Sequence, residues 1–243
     1  LSGPGTISLT DGRLVVDVDG AGVTGLLGRH DGSGLQVLTI RESPEAVQRS
    51  CIFCRKLLDA KRYQESIGWY RDFISTFGER YLVDDAQFEI ADIYDKCLYD
   101  YPNAIREYET LIAGYPGSKR RFQAEERLAY LETYADYVFQ PLVIYERAKN
   151  ETYQRDWRKA VGEIEGILRA YPGAQIEPQV LLWLGYTLAA EDLNKASTYY
   201  RRAIAGYPEI AGEARIALGD AYYLHRRYRA AIAAYREAYA DSG

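Results

Sequence analysis

The residues of this sequence best suited to chemistry are Cys51 and Cys54, which enclose two residues in Cys-Ile-Phe-Cys. Two cysteines at this spacing can cycle between dithiol and disulfide, or supply two thiolate ligands to zinc. A zinc site needs two further ligands, and the only histidines, His30 and His225, lie far apart in the sequence. We therefore interpret the pair as packing residues, with a local disulfide as the alternative, and expect no metal and no cofactor.

Other catalytic arrangements are missing from the sequence. It contains no Gly-x-Ser-x-Gly turn, and its glycine-rich stretch 20–34 lacks the Lys-Ser/Thr of a phosphate loop. Asp84-Asp85 and Glu125-Glu126 are adjacent acidic pairs, and neighbours on a helix point about 100° apart, so these carboxylates do not converge. We predict that the protein is not an enzyme.

Net charge and hydropathy argue against nucleic-acid binding and against a membrane-spanning helix. The 243 residues carry a formal net charge of −5 and a pI near 5.3, whereas a nucleic-acid-binding surface shows a clustered basic excess. No apolar run approaches the ~20 residues that a membrane-spanning helix needs. We expect neither nucleic-acid binding nor a transmembrane segment. The absence of methionine is consistent with a trimmed product, which leaves a removed signal peptide open.

One helical pattern recurs along the chain. AIREYETLIAGYP at Ala104 returns as AVGEIEGILRAYP at Ala160 and as ASTYYRRAIAGYP at Ala196. The apolar positions at offsets 4, 7, 8 and 11 trace one stripe of an α-helix, and the proline stops it. The same frame fits from Ser66 and from Ala231, so the sequence predicts five equivalent helices.

The five copies begin 38, 56, 36 and 35 residues apart, and the segment from Leu218-Gly219 to Tyr235 has leucine, glycine and aromatic residues at the offsets of a known repeat. The pattern resembles the tetratricopeptide repeat, a helix pair that stacks into a solenoid. The resemblance implies small residues where the paired helices cross, as at Gly185 and Gly219. It predicts a mainly α fold: a solenoid of about five repeats over 43–243, with an extra helix near 118–138 that fills the long interval and changes the solenoid's direction.

The first 42 residues have a different texture. Period-2 alternation at 13–18 predicts a strand between Asp-Gly turns, with further strands at Thr6–Leu9 and 35–40. Val23, Leu26 and Leu27 have helical spacing, so we predict a small ββαβ domain over 1–42. The segment resembles the short N-terminal domain of secretins and TonB-dependent receptors, which implies a periplasmic address and an interaction role.

The Tyr-Pro endings of the repeats, including Gly-Tyr-Pro-Gly-Ser at 114–118, resemble those of bacterial envelope proteins such as the Tol–Pal-associated coordinator and the outer-membrane assembly lipoproteins. This resemblance implies a non-catalytic scaffold in a cell-envelope complex, periplasmic or associated with the outer membrane, whose partners are other proteins. Two alternatives stay open: a cytoplasmic adaptor, favoured by the odd third cysteine Cys97, and an envelope protein that binds peptidoglycan or carbohydrate through its tyrosines.

The first helix of each pair lines the concave groove in tetratricopeptide proteins, so the resemblance implies a partner-binding groove. Carried over by repeat phase, its exposed positions hold Arg55, Glu89, Lys96, Tyr145, Lys149, Tyr153, Tyr186, Asp220 and Tyr223. Tyrosine and arginine dominate interface energetics, so we expect an extended peptide or a helix as ligand. The family's carboxylate clamp is not expected, because it requires asparagine and the corresponding positions hold Arg55, Ile93, Lys149, Tyr186 and Asp220.

Many of the 23 tyrosines fall at repeat signature positions, which predicts core packing for them. These are Tyr70, Tyr108, Tyr115, Tyr171, Tyr200, Tyr207, Tyr228 and Tyr235. The sequence given stops at Ser242-Gly243, directly after a second helix, and solenoids need a polar capping element. We therefore expect further chain, or a partner such as a second copy, at that end.

Overall fold

The computed structural model describes residues 6–10, 13–17, 27–30, 35–37, 56–77 and 82–240. This part of the chain is mainly helical and falls into two compact units, Leu1–Ala129 and Tyr130–Gly243. The predicted domain boundary between residues 42 and 43 stays a prediction.

The described N-terminal residues form a four-stranded sheet in the order β1 (Thr6–Thr10), β2 (Arg13–Asp17), β3 (Leu27–His30) and β4 (Leu35–Val37). Neighbouring strands are antiparallel. The predicted ββαβ arrangement is not supported. Leu27, assigned to its helix, lies in β3 and pairs with Val15, whereas Val23 and Leu26 lie outside the described residues.

Ten helices of eight or more residues follow in the described part of the chain. Their bounds are α1 Tyr63–Phe77, α2 Val83–Asp92, α3 Tyr101–Gly114, α4 Arg121–Thr133, α5 Gln140–Arg147, α6 Trp157–Ala170, α7 Glu177–Leu188, α8 Leu193–Gly206, α9 Pro208–Leu224 and α10 Tyr228–Ala240. Helices α2 and α5 run on into π-helical turns, Ile93–Cys97 and Ala148–Thr152, and the latter into a last α turn, Tyr153–Arg155. Helices α1, α3, α6, α8 and α10 are the five predicted copies, and α4 lies within the predicted extra segment 118–138.

The repeated apolar stripe is the core face of these helices. In α3, α6 and α8 the residues at offsets 0, 4 and 7 from the first alanine are all 0% exposed. They are Ala104, Tyr108, Leu111, Ala160, Ile164, Ile167, Ala196, Tyr200 and Ala203. Since burying one such large side chain contributes about 1.5–3 kcal/mol, the stripe holds each helix to its neighbours.

The ends of these helices have local causes. The Asp100, Asp156 and Asp192 carboxylates cap α3, α6 and α8, each accepting a hydrogen bond from the backbone N–H three residues on, at 3.3, 3.1 and 3.0 Å. At the other end the tyrosine of each Tyr-Pro pair is the last residue whose N–H bonds back to the helix. The following proline has no N–H and cannot continue it.

Two glycines let paired helices cross closely, as the repeat resemblance implies. A Cβ built on Gly185 would lie 2.4 Å from Cε1 of Tyr200, and one on Gly219 would lie 2.4 Å from Cε1 of Tyr235. No side chain can occupy such a position unless the ring moves. The tyrosine of each second helix therefore packs directly on the backbone of the preceding first helix.

The extra helix α4 is tied to the repeat before it by a buried ion pair. Arg127 donates two hydrogen bonds to the Asp95 carboxylate, from Nε at 2.6 Å and from Nη2 at 2.7 Å. Asp95 is fully buried and also accepts a hydrogen bond from the Tyr108 hydroxyl at 3.1 Å. The carboxylate thus joins α4 to α3 through the π turn that follows α2.

Candidate functional site

The C-terminal unit contains a cavity of about 510 Å³ on the face formed by the first helices α7 and α9. Pockets of this size accommodate small molecules or the side chains of a bound peptide. Its polar and aromatic lining residues are Tyr186, Tyr200, Asp220, Tyr223, Arg226 and Tyr228, and Leu224 and three alanines complete it. Three of the predicted groove residues, Tyr186, Asp220 and Tyr223, therefore line one cavity.

The tyrosines are arranged in two edge-to-face pairs. The rings of Tyr186 and Tyr200 have centroids 5.7 Å apart at an interplanar angle of 79°, and those of Tyr223 and Tyr228 are 5.5 Å apart at 61°. Such pairs are favoured by the ring quadrupole. Tyr200 is buried, whereas Tyr186, Tyr223 and Tyr228 are 50%, 62% and 53% exposed. The cavity therefore has a buried aromatic floor and an exposed aromatic rim.

The Tyr200 hydroxyl is the buried polar group of this cavity. It makes no hydrogen bond with any described residue. Burial raises the pKa of Tyr200 well above its ordinary value, and the neighbouring charges of Tyr186 and Asp220 raise it further. Tyr200, Tyr186 and Asp220 all line the cavity.

One carboxylate holds the rim tyrosine Tyr186, and another holds the neighbouring helix α10. The Tyr186 hydroxyl donates to Glu213 Oε1 at 3.2 Å, and burial followed by the Glu213 charge raises the pKa of Tyr186. Asp220 Oδ1 accepts a hydrogen bond from the Tyr235 hydroxyl at 2.7 Å, which raises the pKa of Tyr235 to about 12. The site combines aromatic faces with acidic groups.

The remaining predicted groove residues lie elsewhere. Arg55, like Cys51 and Cys54, is outside the described residues. In the N-terminal unit Glu89 is partly exposed on α2, and Lys96 lies in the π turn with Nζ 2.5 Å from Asp92 Oδ1. A contribution of these residues to binding stays a prediction.

Tyr145, Lys149 and Tyr153 lie along one first helix of the C-terminal unit. Tyr145 is only 6% exposed, and its ring lies 5.3 Å from the Lys149 amine. Tyr153 is 40% exposed and packs edge-on against Trp183 at 5.6 Å. Of the three, Tyr145 presents the least surface to a partner, so a change there would disturb the core.

Sequence reasoning missed three of the six polar and aromatic residues that line the cavity. Tyr200 and Tyr228 were assigned to core packing, and Tyr200 is buried, but both line the cavity and Tyr228 is more than half exposed. Arg226 lies in the turn between α9 and α10 with φ of 59°. The signal available for it was the basic run His225-Arg226-Arg227 at a helix end, which by itself favours only a solvated surface.

The described residues add two further observations. Among them, no group of three or more His, Cys, Asp or Glu side chains could hold a metal ion. Nor does any described helix have the length and apolar character needed to cross a membrane.

Comparison with known proteins identifies one repeat directly. Residues 85–118, which extend from α2 through α3 to Ser118, match the family description "Tetratricopeptide repeat". No curated protein matches the chain. Among solved structures, the crystal structure of BtubC (BKLC) from P. vanneervenii is 18% identical over 82% of each chain, with a TM-score of 0.34. A likeness at that score supports no conclusion about function.

Proposed function

We propose that this tetratricopeptide-repeat chain is a non-catalytic protein–protein interaction scaffold, and that it serves a complex of the bacterial cell envelope. The observation that carries the proposal is the cavity on α7 and α9, which brings Tyr186, Asp220 and Tyr223 together. Helical repeats present a large surface that is ordered before the partner arrives, so binding costs little conformational entropy.

The support for an interaction role is physical. Three tyrosines and Leu224 are half or more exposed around one concave site, and exposed aromatic side chains rimming a pocket are typical of protein interfaces. The envelope address, periplasmic or associated with the outer membrane, draws its support from the resemblance of the Tyr-Pro endings. A cytoplasmic adaptor is the alternative address, and fractionation of cells producing the tagged native protein separates the two.

The test of the interaction role is an affinity capture from cell extract, read by mass spectrometry, with a variant that changes only the rim. In Tyr186→Ala/Tyr223→Ala both substitutions remove half-exposed side chains, so the helical circular dichroism should be unchanged. The control Phe122→Ala/Tyr239→Ala also removes two exposed aromatic side chains, 67% and 84% exposed, which do not line the cavity.

We expect a partner that the unmodified chain and the control variant capture and the rim variant loses. Equal capture by all three proteins would refute the cavity as the binding surface. Loss with the control variant alone would place binding at Phe122 or Tyr239 instead.

A further inference from the structure

The aromatic side chains of the cavity favour a cationic guest. Tyr186, Tyr223 and Tyr228 form the rim and Tyr200 the floor, and the face of an aromatic ring attracts an ammonium or guanidinium group within about 6 Å of its centroid. Because each edge-to-face pair holds its two rings at a steep angle, rings of different orientation surround the same space. Such a box accepts a compact cation on an apolar stem.

The acidic groups of the cavity point to the same charge. Asp220 Oδ1 is bonded to Tyr235, but Asp220 Oδ2 makes no hydrogen bond with a described residue. Glu213 does not line the cavity but accepts a hydrogen bond from the Tyr186 hydroxyl. A ligand with N–H donors can therefore hydrogen-bond to the unused Asp220 oxygen. The second carboxylate, Glu213, holds the Tyr186 ring that lines the cavity.

The Tyr200 hydroxyl is an independent indication of a ligand. It is buried and has no hydrogen-bond partner among the described residues, and Tyr200 lines the cavity. A buried hydroxyl left unpaired is costly, and an entering N–H donor supplies the missing bond once the half-exposed Tyr186 ring yields. A lysine or arginine head group can donate to Tyr200 and to Asp220 at once.

Arg226 is the cation of the cavity lining, and it opposes this charge preference. It lies on the exposed turn after α9 and forms no ion pair with a described residue. A charge on such a turn is screened by water and salt. Asp220 is exposed as well, but its carboxylate is held in place by the hydrogen bond from Tyr235. Arg226 would nevertheless pair with an acidic guest, which makes it the residue that distinguishes the two signs of charge.

We propose that this cavity binds a lysine or arginine side chain of a protein partner, held by the tyrosine rings, the Asp220 carboxylate and the Tyr200 hydroxyl. The inference rests on the proposed scaffold function and gives the partner its chemistry: a segment with an exposed basic residue. An acidic peptide and a glycan are the two rival occupants that the experiment must distinguish.

The experiment is a titration of the full chain, carrying ¹³C-labelled tyrosine rings, with Gly-Ser decapeptides that have arginine, glutamine or glutamate at the fifth position. Ring signals of Tyr186, Tyr223 and Tyr228, assigned by single Tyr→Phe changes, report binding at the cavity. We expect the arginine peptide to shift these signals with an affinity about tenfold above that of the glutamine peptide, and the glutamate peptide to bind more weakly still.

Three variants test the contacts. Asp220→Asn keeps the acceptor for Tyr235 and removes the charge, and should lower the affinity for the arginine peptide about tenfold. Tyr200→Phe removes only the hydroxyl and should lower the affinity for the arginine peptide about fivefold. Arg226→Gln should leave its affinity unchanged or raise it. The matched controls are Glu237→Gln, an exposed charge on α10, and Tyr199→Phe, whose hydroxyl bonds Glu165; both should bind like the unmodified chain.

Three results overturn the proposal. The first is that the glutamate peptide binds more tightly than the arginine peptide and that Arg226→Gln abolishes this binding. The second is that a peptidoglycan tetrasaccharide shifts the tyrosine ring signals and the arginine peptide does not. The third is that no peptide shifts these signals. The affinity capture keeps the scaffold function separate. If a partner is captured through Tyr186 and Tyr223 but the cavity does not prefer the arginine peptide, the scaffold function stands and the binding of a basic side chain is refuted. If the arginine peptide binds but no partner is captured, the binding of a basic side chain stands and the scaffold function is refuted.

Discussion

The buried ion pair between Arg127 and Asp95 makes a sharp prediction about the extra helix α4. In Arg127→Met the Asp95 carboxylate stays fully buried and loses two charge-assisted hydrogen bonds of 2.6 and 2.7 Å. Breaking such a pair from one side costs about 3–5 kcal/mol. Because the Arg127 side chain is 24% exposed, water can reach part of the site, so we expect the low end, a loss of about 3 kcal/mol.

The assay is urea unfolding followed by circular dichroism at the helical band. The control Arg121→Met removes an exposed pair with Glu125 on the same helix and should cost about 0.3–0.5 kcal/mol. The double variant Asp95→Asn/Arg127→Met removes the buried charge and keeps an acceptor for the Tyr108 hydroxyl. It should recover about half of the loss.

A loss for Arg127→Met no larger than that of Arg121→Met would refute the reasoning. It would mean that water reaches the Asp95 carboxylate when its partner is removed, so that the pair does not hold α4 to its repeat. A double variant less stable than Arg127→Met would refute the claim that the unpaired charge is the source of the cost.

Three further predictions concern the helices and turns. Gly185→Ala places a Cβ 2.4 Å from the buried Tyr200 ring and should lower the free energy of unfolding by about 1–3 kcal/mol in the same urea assay. The control Gly162→Ala adds a Cβ in open space on α6 and should raise the free energy of unfolding by about 0.5–1 kcal/mol. Val138, 77% exposed with φ of 53°, is in the left-handed region that a β-branched residue avoids, so Val138→Gly should raise the thermal midpoint by relieving about 1 kcal/mol of strain. The hydrogen bond to Asp220 raises the pKa of Tyr235 to about 12. The contribution of this hydrogen bond to the free energy of unfolding is therefore fully present below pH 10 and is lost as the pH rises through 12. Tyr235→Phe should flatten this alkaline decline when the urea midpoint is measured between pH 8 and 12. An unchanged midpoint for Gly185→Ala or Val138→Gly, or an unchanged alkaline slope for Tyr235→Phe, would contradict the corresponding argument.

The helices could be predicted from sequence because their signals are local. The apolar stripe at offsets 0, 4 and 7, the Tyr-Pro endings and the small residue at Gly219 each depend on a few neighbouring residues. The same reasoning failed at Leu27, where helical spacing over a glycine-rich stretch gave a helix and the residue lies in β3. Pairing between strands depends on residues distant in the sequence, which spacing alone does not report.

The candidate site was predictable only in part, since a cavity depends on several elements at once. Repeat phase selected Tyr186, Asp220 and Tyr223 because all three lie on first helices. It could not select Tyr200, a signature position whose ring reaches the cavity because Gly185 leaves room for it, or Arg226, which lies in a turn. The burial of Tyr145 likewise depends on packing that the repeat frame does not contain.

The proposed interaction surface can be tested in the cell by photo-crosslinking, in strains that make the native protein. A photoreactive phenylalanine analogue replaces Tyr223 in the cavity rim in one strain and Tyr239, at 84% exposure on α10, in another. We expect a crosslinked protein partner from position 223 that is lost when Asp220→Asn is added, and none from position 239. A partner crosslinked from position 239 and not from 223 would contradict this expectation and place the binding surface on the last helix.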